Sequence, residues 1–331
     1  MQTVADPPVD ARSGTATASL TSRRGSGVDR TFRGVTFVAG LLVLLILALI
    51  FFSTTRQAWP AFSTFGTRYF FSTDWRPNAG RYGILGFAYG TAVISAIGVL
   101  LAVPTSIGIA LFTTEVAPRR LAQAITLVID LLASVPSVVF GLVGFYVLKV
   151  PLQDLYRSIG DAVADVPVLH TLFGQGSAGI SLMTAGLVLA IMITPIITSV
   201  SREVFATVPR NDKEGALALG ATRSEMINGV MIPHSLGGLT GAVMLGLGRA
   251  MGETIAVTLL IGGVTPQISA NLFGPSDAMP SAIARRLSEA SGLNRSALIG
   301  LGVTLFVMTM LVNVASRQVV GRVDRRLKGI S

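Results

Sequence analysis

Arg249 and Glu253 are the only charged residues in the apolar stretch 236–262. Four positions apart, they fall one turn apart on a helix, where a guanidinium and a carboxylate pair. Counted from Leu236 at about 1.5 Å per residue, Arg249 lies about 20 Å into the segment, near the middle of a bilayer. An unpaired arginine at that depth costs about 3 kcal/mol even on lenient insertion scales, so its side chain must face protein or a water-filled cavity. The planar donors of a guanidinium match an oxyanion, and a neighbouring carboxylate keeps the anion from being trapped. Gly248 and Gly252 add a G-x-x-x-G edge that would admit another backbone close beside the pair. An ion pair that merely joins helices is the competing reading.

A second set of residues lies in the polar stretch 202–235. Pro209, Asn211 and Asp212 make a helix start, with Asn211 or Asp212 as N-cap and Glu214 near the positive end of the helix dipole. Gly220 follows the apolar Ala216, Leu217, Ala218 and Leu219 as a stop signal, and Thr222 opens a second short helix that Pro233 ends. Two short helices around a glycine form a knob suited to docking. The alternative is an ordinary connector, although connectors this long are uncommon unless functional.

The elements that must carry these residues are helices in a membrane. Of 331 residues, 51% are hydrophobic and 13% charged, and mean hydropathy is +0.66. The charges fall between long uncharged stretches, which predicts an all-α, polytopic membrane protein. Six stretches are long enough for a hydrocarbon core about 30 Å thick: 34–53, 82–114, 121–148, 166–201 with its apolar part at 180–200, 236–262 and 296–316. The first is too long for a signal-peptide core and reads as an uncleaved anchor. Residues 1–33 are polar and read as a flexible cytoplasmic arm, and 317–331 as a basic cytoplasmic tail. With both termini inside, 16 of the 26 Lys and Arg residues lie on the cytoplasmic side, in line with the positive-inside rule. The net charge of +9 is explained in this way, with no nucleic acid required. Trp59, Tyr69 and Trp75 fall in the first outer loop, where aromatic rings are expected at the lipid headgroups.

Other chemistry is excluded or weak. The absence of cysteine removes disulfides, thiolate nucleophiles and cysteine-ligated metals. His170 and His234 fall on opposite sides and cannot share a metal. Lys149, Lys213 and Lys328 all lack the preceding glycine of a phosphate-cradling loop, so the chain is expected to bind no nucleotide and to carry no catalytic residue. If transport is active, another chain holds ATP and Mg. Asp130, alone in the third stretch, reads as a structural or gating acid, and Pro104, Pro136 and Pro195 as tolerated kinks.

Two motifs carry a resemblance. Glu214-Gly215-Ala216, three residues, Gly220, nine residues and Val230-Met231-Ile232-Pro233 resemble the E-A-A-x3-G-x9-I-x-L-P loop of ATP-binding-cassette importer permeases. Gly215, Val230 and Ile232 depart from it, and the spacing is intact. The run from Gly246 to Thr254, with Tyr89-Gly90-Thr91 and the 132–137 stretch followed by Gly141, resembles the permeases of the bacterial phosphate-specific transport system, a PstC-like subunit more than a PstA-like one. That resemblance implies a type I importer permease fold in the bacterial inner membrane. It implies pairing with a PstA-like chain, two PstB-like ATPases, and orthophosphate delivered by a PstS-like binding protein. It would place Glu214, Gly215, Ala216, Gly220 and Pro233 in a coupling helix at the ATPase, and Arg249 and Glu253 in the translocation pathway. Sulfate or molybdate as the substrate stays open. So does a different class, a channel or signalling protein that docks through its cytoplasmic loop.

Overall fold

Apolar segments in lipid must satisfy their backbone groups internally, and the chain does so as helix. The computed structural model describes residues 26–174 and 178–328, with side chains for 29–174 and 178–318. Helix α1 runs Ser26–Phe65, so the part of the expected arm from Ser26 onward is helical, and residues 1–25 lie outside the described residues. Of the described residues, 26–52 form a unit of their own. Within it, the large apolar side chains from Phe32 to Phe52 are largely exposed, as suits a helix surrounded by lipid.

The second unit, from Ser53 onward among the described residues, continues through α2 (Thr67–Phe71), α3 (Leu85–Leu111), α4 (Arg119–Ser134), α5 (Ser137–Val143), α6 (Lys149–Ala162), α7 (Pro167–Phe173) and α8 (Leu182–Ala206). It then passes through α9 (Arg210–Ala218), α10 (Arg223–Met226), α11 (Ile232–Gly252), α12 (Ile255–Leu260), α13 (Met279–Arg286) and α14 (Gly292–Lys328). Wider π turns join α5 to α6 and α10 to α11, and extend α3 to Val116. Six helical runs among the described residues are long and apolar enough to cross a membrane: Asp29–Phe65, Leu85–Val116, Ser137–Ala162, Leu182–Ala206, Arg223–Gly252 and Gly292–Gln318.

Two of these differ from the sequence reading. The stretch 121–148 is broken at Val135 and Pro136, both extended, because a proline pushes the residue before it out of the helical region. Pro136 therefore divides two helices where a kink was expected, while Pro104 and Pro195 stay inside continuous α3 and α8. Asp130 is exposed on amphipathic α4. Further along, Pro233 does not end the helix begun at Thr222. Its ring would clash with the carbonyl four residues back, and the preceding π turn, in which Ile232 donates to the Ile227 carbonyl, widens the backbone so that helix continues to Gly252.

The core is layered along the helices. Ile94 and Ala102 of α3, Leu189, Ile193 and Ile197 of α8, Ala242 of α11 and Val257 of α12 form its centre. A second cluster joins Tyr69, Trp75 and Phe87 to Leu298 and Leu301 of α14. Of the three aromatics expected at the headgroups, Trp59 alone is exposed. Tyr69 and Trp75 are buried, and the Tyr69 hydroxyl donates to the Ala297 carbonyl at 2.6 Å. A phenol ring brings its apolar area to a core when a partner for the hydroxyl is at hand, and the Trp75 indole packs edge-on against Tyr82 and Phe87.

Candidate functional site

Arg249 and Glu253 do not share a helical face. Helix α11 ends at Gly252, and Glu253 is extended with ψ 127°, so the four-residue spacing no longer stacks the side chains. Among the described residues no carboxylate lies within ion-pair distance of Arg249. Arg249 is exposed in the last turn of α11, where the unpaired carbonyls of a helix end favour a cation. Glu253 is buried, and its Oε1 accepts from the Ala256 N–H at 3.4 Å in the first turn of α12. The glycine edge also differs from expectation. No atom comes within 4 Å of where a Cβ would stand on Gly248 or Gly252, and Gly246 is the tight position, against Ile197.

The other sequence motifs converge on Glu253. A narrow cavity of about 10 Å³ is lined by Thr91 and Ser95 of α3, Glu253, and Ala278 and Pro280. Thr91 accepts from the Met279 N–H at 3.0 Å, and the Tyr89 hydroxyl donates to the Ser269 carbonyl at 2.5 Å. Between them, a Cβ on Gly90 would run into the Asp277 carbonyl oxygen, so only glycine lets α3 approach that segment. On another side, Gly141 of α5 packs on the backbone of Ala256, where a Cβ would stand 2.9 Å from its Cα. The motif Tyr89-Gly90-Thr91 thus positions the segment 269–279 that walls the cavity, and Gly141 positions α12, which follows Glu253.

A charged cluster beside this cavity escaped the sequence reading. Asp277 is fully buried and ion-paired with Arg285 and with Arg286, the latter at 3.2 Å. Its Oδ1 accepts from the Ala278 N–H at 2.9 Å, and Arg286 stacks over the Phe87 ring. Burial pushes the Asp277 carboxyl up from its ordinary range, against the pull of both guanidiniums, and pushes Arg286 down. In the sequence these are three ordinary loop charges. Only the fold, by burying Asp277, makes them a clasp for α13. Asp277→Ala strands two guanidiniums and is expected to cost about 3–5 kcal/mol, read as a lower thermal unfolding midpoint in detergent. Asp74→Ala, which breaks pairs to the exposed Arg76 and Arg81, is expected to cost about 1 kcal/mol or less.

On the opposite side of the helical bundle, the 202–235 stretch folds as two short helices. The N-cap of α9 is Pro209, two residues ahead of Asn211 and three ahead of Asp212, so both expected caps lie inside the helix and no side chain caps it. Gly220 takes φ +87° and closes α9, a conformation other residues reach only at a cost. Thr222 and Glu225 form a reciprocal capping box: Thr222 N–H donates to Glu225 Oε2 at 2.8 Å and Glu225 N–H to Thr222 Oγ1 at 3.3 Å. Glu214, Gly215, Leu217 and Gly220 are exposed, and Leu219 is 91% exposed. Ala216 packs inward with Phe205, Val208, Met226 and Met231, and Pro233 is half-buried. The outward side of the knob presents Leu217 and Leu219 among charges of both signs, Arg210, Asp212, Glu214 and Arg223, a surface that can dock another protein.

Residues 102–329 match the family described as binding-protein-dependent transport system inner membrane component. The chain is 42% identical to the phosphate transport system permease protein PstC of Haemophilus influenzae over 90% of its length and 95% of the relative's. It is 37% identical to PstC 2 of Mycobacterium tuberculosis over 91% and 93%. In three dimensions it is similar, at TM-score 0.51 and 16% identity, to a chain of a bacterial alginate ABC transporter, covering 91% of this chain and 98% of that one. The all-helical architecture, the capped two-helix knob and these matches together place the chain in the family of binding-protein-dependent transport system inner membrane components.

Proposed function

We propose that this chain is one of two permease subunits of an ATP-driven importer that moves inorganic phosphate handed over by an extracytoplasmic binding protein. The observation that carries this reading is Arg249, exposed at the end of α11, next in the chain to Ala250 of the Glu253 cavity, without an ion-pair partner among the described residues. A guanidinium facing acyl chains would be costly, so in the membrane it must border protein or water. A second, homologous permease chain supplies the missing wall, and the anion passes between the two. The similarity to PstC relatives over nine-tenths of the chain supports phosphate as that oxyanion.

Energy comes from outside the chain. Two ATPase subunits bind ATP and Mg, and they dock on the knob formed by α9 and α10, where Glu214, Gly215, Ala216 and Gly220 are placed. The chain itself transfers no chemical group. The membrane is the bacterial inner membrane, with the knob and both termini on the cytoplasmic side.

Two experiments test the reading. A strain lacking this chain is expected to lose phosphate uptake and keep sulfate uptake; loss of sulfate uptake alone would overturn the substrate. For orientation, the chain's lack of cysteine makes single cysteines informative. Leu219→Cys is expected to react with an impermeant maleimide only from the cytoplasm, and Asn78→Cys, on the exposed turn Pro77–Ala79, only from outside. Labelling of both from one side would contradict the orientation.

A further inference from the structure

The docking knob is tied to the wall of the Glu253 cavity through a single helix, and the tie is an ion pair that no motif contains. Lys213 of α9 places Nζ 2.6 Å from Oε1 of Glu115, and both side chains are less than one-fifth exposed. From the other short helix, Arg223 donates to the Glu115 carbonyl at 3.4 Å. Two arms of the knob, one on each side of the Gly220 turn, therefore grip one residue.

Glu115 lies in the π turn Phe112–Val116 that extends α3. At this end of α3 the backbone groups are satisfied locally: the Thr113 and Thr114 hydroxyls donate to the Ile109 and Ala110 carbonyls, and Ala117 N–H donates to the Phe112 carbonyl at 2.8 Å. An apolar cluster of Ala110, Phe205, Val208, Met226 and Met231 seats the knob against it. About 30 Å away along α3, Thr91 and Ser95 line the cavity that holds Glu253, and Thr91 fastens the segment above it. One end of α3 thus touches the candidate pathway, and the other is held by the helix that carries Glu214.

An apolar contact alone lets one surface slide over another, because it is non-directional. A short, half-desolvated ion pair fixes position as well, since its strength falls off with separation and its partners have no water to replace each other. We propose that Lys213 and Glu115 are positioning residues that carry displacement of the docking knob into α3, so that ATP hydrolysis on the partner is tied to opening of the pathway around Glu253. This rests on the importer reading above. It assigns work to two residues outside both the loop motif and the pathway.

The test uses the assembled complex in proteoliposomes, with binding protein outside and ATP inside, and reads anion moved per ATP hydrolysed. Lys213→Met and Glu115→Gln are each expected to lower that ratio at least fivefold, while the ATPase still co-purifies with the permease. Lys213→Arg, which keeps the charge, is expected to hold at least half of the wild-type ratio. The double reversal Lys213→Glu with Glu115→Lys is expected to recover at least half of it too. A wild-type ratio in both single variants would overturn the proposal. So would single variants that lose coupling and a well-assembled double reversal that does not regain it, because the loss would then come from the individual side chains and not from their pairing. Wild-type complex that moves no phosphate would count against the importer reading instead, and the ratio would then be measured with whichever anion it does move.

Discussion

Arg249→Gln is expected to lower phosphate uptake at least a hundredfold while membrane level and unfolding midpoint stay near wild type. The separation of the two effects follows from the structure. Arg249 is exposed and has no ion-pair partner among the described residues, so its loss breaks no bond on which the fold depends, and such surface substitutions stay within about 0.5 kcal/mol. Glutamine keeps much of the length and removes the charge. Each charge-assisted hydrogen bond to an anion contributes about 1.5–3 kcal/mol, and a guanidinium makes two side by side. Their loss amounts to about 3–6 kcal/mol, or two to four powers of ten in rate. Arg249→Lys retains the charge without the fork and is expected to fall between, roughly tenfold down. Uptake would be measured with labelled phosphate at matched membrane levels. Wild-type uptake in Arg249→Gln would remove Arg249 from the pathway. Exchanging Arg249 and Glu253 would be a poorer test, because Glu253 occupies a buried pocket at the start of α12, and a guanidinium placed there would harm the fold.

Gly220→Pro is expected to cut uptake at least tenfold and weaken ATPase association, with the transmembrane helices still formed. Gly220 has φ +87° and no atom within 4 Å of a would-be Cβ, so sterics with neighbours play no part and the backbone alone decides. Proline fixes φ near −65° and removes the N–H, which here donates to the Leu217 carbonyl at 3.0 Å. The turn must open, and α9 must move relative to α10. Gly220→Ala tests the same point more gently, since a left-handed alanine costs about 1–2 kcal/mol, and it is expected to reduce uptake only partly. Undiminished uptake in Gly220→Pro, with the ATPase bound as in wild type, would show that the knob is not the docking element.

Much of this was legible in the sequence because it is written in local terms. Gly220 and Thr222 declare a stop and a start through their own backbone and side-chain chemistry, and the structure has both. Long uncharged stretches declare helix, since lipid allows little else. What escaped depends on residues distant in the chain. The break at Pro136 was visible as a proline, yet whether it kinks or divides a helix depends on what packs around it. Pro233 reads as a stop in the sequence because a π turn, which spares the helix, has no sequence signature. The pairing of Arg249 with Glu253 assumed that helix persists past Gly252. Its end there coincides with packing of the next helix against Gly141 of α5, a contact across more than a hundred residues. Residue type alone points Tyr69 and Trp75 to the headgroups, whereas Tyr69 is bonded to Ala297 of α14 and Trp75 packs against Tyr82 and Phe87. The Asp277 clasp and the Lys213–Glu115 pair are likewise invisible until the fold brings their members together.

The central claim is that this chain forms part of a phosphate-selective, ATP-driven pathway, and reconstitution tests it most directly. Proteoliposomes would contain this chain with its permease partner and ATPases, loaded with ATP and Mg and supplied outside with the binding protein and labelled phosphate. The account predicts accumulation of phosphate against its gradient that stops without ATP, stops with Arg249→Gln, and is unaffected by a hundredfold excess of sulfate or molybdate. Accumulation of sulfate or molybdate in place of phosphate, or phosphate movement that needs neither ATP nor the binding protein, would contradict it.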